Sequence, residues 1–296
     1  IDSSIRVHIG ISGSYTGLQI AGTSAGAGMF ALHPGVSFRR DFFRGHIYIS
    51  PTIGNGGNAY ILPDIMASAQ VSRFTIKGGW KALLHQNSYE RFFLRNPFIS
   101  PAGINMLVSQ YRTDEVYGDA QSNIGNNILV SGRVSWWQFR NMPLFINAPG
   151  DRKQFDIITD PKINAISLQA NVRYQVARTF ALGLSGSWFN YYNSTVTHVW
   201  HEPGMQLKAD FQYRPLPDLT ITAYMMAVDQ IYATDITGRA VKLKAIMDLG
   251  CGAEYNIIPR LSVFLNINNL LNNSYQRWHY YPAYGFNIYG GLRLKF

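Results

Sequence analysis

Three groups of residues have the types and spacing that chemistry requires. Gly22-Thr23-Ser24-Ala25-Gly26 has the Gly-x-Ser-x-Gly spacing of a nucleophile elbow, where a strained strand-to-helix turn exposes a serine hydroxyl. Here a glycine-rich stretch and another strand pattern follow, so the plainer reading is an outer loop. His198 and His201 flank Trp200 beside Glu202. Two imidazoles and a carboxylate form a donor set for a transition metal, but a loop fixes no geometry for them. They are the metal candidates, with no metal site assigned. The third group is a set of alternating charges. Arg6, Arg173, Lys208, Lys244, Arg293 and Lys295 share a strand face with Asp210, Asp248 and Glu254. A cationic wall of this kind favours anionic solutes; cross-strand ion pairing explains the same residues without a ligand. No catalytic residue, cofactor-binding residue or cofactor is assigned, and no enzyme activity is expected.

The composition limits what can position these groups. The chain has 296 residues, 47% hydrophobic and only 15% charged, against about 25% charged in ordinary soluble domains. Aromatics make 14%. Such a chain is too apolar for disorder. Yet its longest unbroken apolar run is the six residues from Ala223 to Val228, far short of the roughly 18 that a membrane helix needs. The apolar residues are abundant and dispersed, as alternating strands require. One cysteine, Cys251, excludes a disulfide framework and a thiolate metal site. It reads as a small apolar residue. No signal-peptide pattern stands at Ile1. The net charge of +9 comes without a basic run or a recognition helix, so no nucleic-acid partner is expected. No linker divides the chain, and residues 1–296 read as one domain.

The period is two almost throughout. Ile166, Leu168, Ala170, Val172 and Tyr174 alternate with Ser167, Gln169, Asn171, Arg173 and Gln175. The pattern predicts strands over 5–17, 28–38, 42–52, 59–71, 74–83, 104–117, 126–138, 164–175, 179–190, 204–213, 219–231, 241–255, 260–268 and 284–296. Short turns alternate with long loops, as in an outer-membrane barrel. The even count puts both chain ends on the short-turn side and allows the sheet to close. One face is apolar through its middle and the other is polar with mixed charge. Aromatics such as Trp188, Tyr192, Trp200, Trp278 and Tyr284 gather where strands meet loops, as interfacial girdles do. The fold class is therefore all-β: a transmembrane antiparallel up-and-down β-barrel of about 14 strands, multi-pass in a bacterial outer membrane. Its surroundings would be the lipid bilayer and lipopolysaccharide.

The last hairpin is the most specific stretch. Leu261 to Tyr275, with Asn269-Leu270-Leu271-Asn272 and Tyr275, and then Tyr281 to Phe296 resemble the end of TonB-dependent outer-membrane receptors. Ile61 to Asp64, Gln86 to Tyr89 and Asn96 to Phe98 also resemble barrels of this type. The resemblance implies a signal for the barrel-assembly machinery at Gly290, Leu292, Leu294 and Phe296. It implies uptake or passage of a solute across the outer membrane. Family barrels have about 22 strands, with a plug and a TonB-contacting box ahead of them. Neither fits in residues 1–4. The alternative is a non-transporting scaffold barrel held against other outer-membrane proteins or lipoproteins.

Overall fold

The computed structural model describes residues 3–20, 22–100, 104–150, 152–235 and 237–295. Phe296, the last residue of the expected assembly signal, lies outside them. In chain order the strands are β1 (Ser3–His8), β2 (Ile11–Ile20), β3 (Thr23–Leu32), β4 (Gly35–Arg40), β5 (Phe43–Ile53), β6 (Ala59–Val71), β7 (Phe74–Gln86), β8 (Gln110–Ile124), β9 (Ile128–Arg140), β10 (Met142–Asn147), β11 (Phe155–Asp160) and β12 (Ile163–Val176). There follow β13 (Phe180–Tyr192), β14 (Met205–Leu216), β15 (Leu219–Asp229), β16 (Tyr232–Thr234), β17 (Ala240–Lys242), β18 (Ile246–Ile258), β19 (Leu261–Asn268), β20 (Gln276–Trp278), β21 (Tyr281–Pro282) and β22 (Asn287–Leu294). Helices α1 (Tyr89–Arg95) and α2 (Ile104–Leu107) lie in the loop between β7 and β8.

Sixteen of these strands form a single sheet. Gly10 and His33 exchange backbone hydrogen bonds at 3.2 and 2.7 Å where β1 runs into β2 and β3 into β4. Counted as continuous, the wall has fourteen antiparallel strands, each bonded to its chain neighbours. The hairpins β10–β11, β16–β17 and β20–β21 stand apart from it, in the long loops.

Alternation fixes the two faces, because directly opposed residues share a side. Val172 opposes Leu184 and Leu168 opposes Trp188, all outward and exposed. Two aromatic levels bound this apolar band. At the short-turn end Tyr174, Phe180 and Phe211 contact one another at 5.7 and 5.3 Å between ring centres. At the loop end Trp136 Nε1 donates to the Tyr192 hydroxyl at 2.9 Å, and Trp188 is exposed nearby. Phe180 and Trp188 are eight residues apart on β13. That is about 26 Å along the strand and roughly 20 Å in height at a tilt of ~40°, close to the apolar band of an outer-membrane wall. Above the upper level the outward face turns polar: Arg112 clamps Asp114 at 2.7 and 2.8 Å.

The short turns follow the expected positions. Asp41, Ser72 and Ala177 supply the left-handed residue, with φ of 47°, 56° and 50°. Three features differ from the sequence-based expectation. The strand predicted at 104–117 starts at Gln110, because 104–107 is helical. The strand predicted at 241–255 starts at Ile246. Residues 240–242 pair with 232–234 instead, and Leu243 is buried with Val228, Ile231 and Ala233. The even count holds, but closure does not follow from it. Among the described residues β1 pairs only with β4 and β22 only with β19, so each edge leaves a row of backbone groups free.

Candidate functional site

The long loops bury three apolar clusters at the loop end of the curved sheet, and one of them gathers residues from several loops. Phe92 of α1, Leu107 of α2, Phe145 of β10, Phe155 of β11 and Trp278 of β20 are buried together. Leu18 and Ile20, at the tip of the hairpin β2–β3, pack on the same cluster. The first hairpin and the last loop therefore contribute to one structure at the loop end. Phe145 and Phe155 are wholly buried, among side chains of the other loops and of the tip of β2.

Polar pins hold this core in place. The buried Asp160 carboxylate accepts from the Lys162 amide at 2.9 Å, and from the Thr195 amide and hydroxyl at 2.8 Å each. It thereby ties the β11–β12 turn to the loop at 193–204. Strand periodicity does not reveal this role, but Asp160-Pro161 is a turn signal that marks a side chain free to cap nearby amides. Ser88 caps α1 by accepting from the Arg91 amide at 3.1 Å. Arg95 at the other end of α1 forms an ion pair with Glu202. The Asn-Leu-Leu-Asn element also has a physical role. Asn269 and Asn272 adopt φ of 47° and 46°. Asn269 Nδ2 donates to the Tyr284 carbonyl at 2.9 Å, and Asn272 Oδ1 accepts from the Phe286 amide at 3.0 Å. The two amides join the start of the last loop to its end and so aim β22.

His198 and His201 part company. His198 stacks on Tyr232 at 3.9 Å with the rings 3° from parallel. His201 is fully buried, 5.2 Å from the Phe155 ring and 5.0 Å from Trp278. Its carbonyl accepts from Arg277 at 2.7 Å. Neither of its ring nitrogens has a hydrogen-bond partner among the described residues. Burial, with the nearby Arg277 charge adding to it, pushes its pKa down to about 3, so the ring is neutral. Among the described residues no three His, Cys, Asp or Glu side chains are grouped to hold a metal.

The concave wall carries the charges. Arg133 bridges Glu115 and Asp119 at 3.4 and 2.9 Å, and Arg293 holds Glu254 at 2.6 Å. Asp248 accepts from the Tyr275 hydroxyl at 3.1 Å. These pairs explain part of the expected charged face structurally. Lys208 and Arg173 instead line open polar recesses with Gln169, Asn171 and Gln175, and no carboxylate pairs with them among the described residues.

The Gly22 to Gly26 stretch is no outer loop: Gly22 stands in a hairpin turn, and Thr23 to Gly26 are paired residues of β3. Gly22 has φ of 80°, and strand β3 follows it rather than a helix. Gly26 is accounted for by Tyr15, whose ring occupies the space of a Cβ there. Cys251 lies between Ala223 and Ile267 on the outward face.

Comparison with solved structures gives the same wall. The FrpB iron transporter from Neisseria meningitidis matches with a TM-score of 0.65 at 14% identity, over 93% of this chain and 46% of that one. The ferric enterobactin receptor of Pseudomonas aeruginosa matches with a TM-score of 0.69 at 11% identity, over 99% of this chain and 51% of that one. The outer membrane transporter YddB from Escherichia coli gives 0.65 at 11%, over 93% and 46%. The chain spans about half the length of these structures. No family model and no curated protein sequence matches it. At such identities the likeness is one of fold, and the fold is the barrel of TonB-dependent outer-membrane receptors.

Proposed function

We propose that this chain is the wall and loop cap of an outer-membrane receptor of the TonB-dependent type, which takes a solute across the outer membrane. One observation carries the reading: the long loops bury three apolar clusters at the loop end of a polar, charge-lined concave wall, while the outward band is apolar. Such a mouth binds from outside and is gated by loops. The named neighbours handle iron, a ferric chelate or other solutes, and Lys208 and Arg173 without carboxylate partners suit an anionic metal chelate. No covalent step belongs to this role. The free edges of β1 and β22 belong to it as well. Hydrocarbon tolerates no unpaired backbone, so further strands complete the ring beside this arc. Exposed Leu292 and Leu294, with Gly290 on the closing strand, suit capture by the barrel-assembly machinery.

Uptake in whole cells tests the proposal. Cells with and without the gene are given radiolabelled ferric chelates and copper, before and after a protonophore. Uptake of at least one solute is expected to need both the gene and the proton gradient. Equal uptake of every solute in the deletion strain overturns the transport reading.

A further inference from the structure

On the inner face of the first wall strands the charges follow a different rule from the rest of the wall. Pairing aligns Ser4, Arg39, Arg44, Ser68, Lys77 and Asp119 across β1, β4, β5, β6, β7 and β8. Val36 and Ile47 oppose each other on the outward, exposed face, so alternation turns Arg39 and Arg44 inward. At one end of this row the signs alternate: Asp119 stands between Lys77 at 4.0 Å and Arg133 at 2.9 Å. At the other end they do not. Arg39 and Arg44 are directly opposed beside the β4–β5 turn, with Cβ atoms about 5 Å apart. Arg6 stands diagonally from Arg39, opposite Ser37 on the same face. All three arginines are exposed, and their guanidinium groups have no hydrogen bond or ion pair among the described residues. The described acids from β1 to β7 are Asp41, in the turn, and Asp64, four residues along β6 from the row and 3.1 Å from the His46 ring.

Like charges directly opposite each other destabilise a sheet. Elsewhere this wall sets a carboxylate between its cations, as Asp119 and Glu254 do. We infer that the missing negative charge comes from the ligand: Arg39, Arg44 and Arg6 form an inner-wall site for the phosphoryl group of a phosphorylated solute. Guanidinium forks match phosphate oxygens two at a time. The Ser4 hydroxyl, opposite Arg39 and without a partner among the described residues, is a further donor. Charge selects the class. A single carboxylate carries one charge and is filled by one fork, which leaves the opposed arginine unbalanced. A phosphate monoester carries close to two charges at neutral pH and three acceptor oxygens, enough to bridge both forks. The site deepens the transport reading by naming a chemical class for the solute, and rests on that reading for the ligand's being carried across.

Binding to the purified protein tests the site apart from uptake. The full-length protein, taken from its membrane into nanodiscs, is titrated with inorganic pyrophosphate and separately with citrate, at constant ionic strength, by calorimetry. Pyrophosphate is expected to bind more tightly than citrate. Its affinity is expected to fall about tenfold for Arg39→Gln and for Arg44→Gln, as for a lost hydrogen bond between charged groups. Arg140→Gln, at the loop end of β9, is expected to change nothing. Without the anion, Arg39→Gln is expected to unfold at a denaturant concentration no lower than wild type, since one of two opposed like charges is gone. Equal pyrophosphate affinity in wild type and both variants overturns the site. Citrate binding as tightly, with the same arginine dependence, overturns the phosphoryl class in favour of a polycarboxylate. Absence of binding in a protein whose gene still supports gradient-dependent uptake overturns the site and leaves the transport reading intact. Arginine-dependent binding in a protein that supports no uptake upholds the site and overturns the transport reading alone.

Discussion

At the scale of the residue, His201 is the side chain whose environment and chemistry conflict most. A neutral imidazole carries one donor and one acceptor, and burial without partners costs both. The ring is nevertheless enclosed by Phe155 and Trp278, with Arg277 on its own carbonyl and the Arg95–Glu202 pair and His279 nearby. Protonation would bury a cation beside another. The pKa falls from 6.5 to about 3 in the closed cap. The stability this group contributes is therefore complete above pH 6.5 and is lost as pH falls. At pH 5 the loss is about 2 kcal/mol, from 1.36 kcal/mol per pH unit. Acid is expected to speed hydrogen exchange at the loop-core amides of β11 and β20 between pH 7 and 5, after correction for intrinsic rates. His201→Gln cannot titrate and is expected to abolish that acid dependence. An acid response that survives the substitution would place the sensor elsewhere.

At the scale of the element, strands were legible and loops were not, for a physical reason. A wall strand meets one solvent on each face, so its solution is written along the chain as alternation. Ile166 to Gln175 shows it at every position. A loop strand meets other loops, and nothing local encodes that. Met142 to Asn147 is nearly continuous in apolar residues and is buried on both sides, while Leu243 looks like an outward wall residue and is a loop-core residue. The same logic hid Asp160 and Arg277, whose partners lie in other loops, and let the separated His198 and His201 look like a pair. The face assignment itself can be tested on one strand. Val172 points outward in the apolar band and Asn171 points inward beside an open polar recess. Val172→Arg is expected to destabilise the wall by about 2–4 kcal/mol and Asn171→Arg by much less, as measured by denaturant unfolding in bilayers. Equal costs would reverse the facing. Gly250 would be a poor inward control, because Tyr224 already fills its Cβ position.

At the scale of the whole molecule, the decisive feature is an arc that is continuous across its mouth and open along its sides. Leu18 and Ile20 join the core that holds Trp278, so the first and last hairpins meet at the loop end. Lower down, β1 and β22 each have one edge without a partner strand among the described residues, with Ile5, Val7 and Leu292 among the most exposed apolar side chains. In water an edge is solvated; in lipid it leaves several unpaired groups at several kcal/mol each. A membrane wall therefore requires these edges to be paired. Amide exchange of the protein in bilayers measures this directly. Strand β12, bonded on both sides by β9 and β13, gives the internal standard. If further strands complete the ring, every amide of β1 and β22 exchanges as slowly as those of β12. If half of the amides on each edge exchange at solvent rates while β12 stays protected, the arc stands alone, and a sealed, gated receptor is no longer a possible reading of this wall.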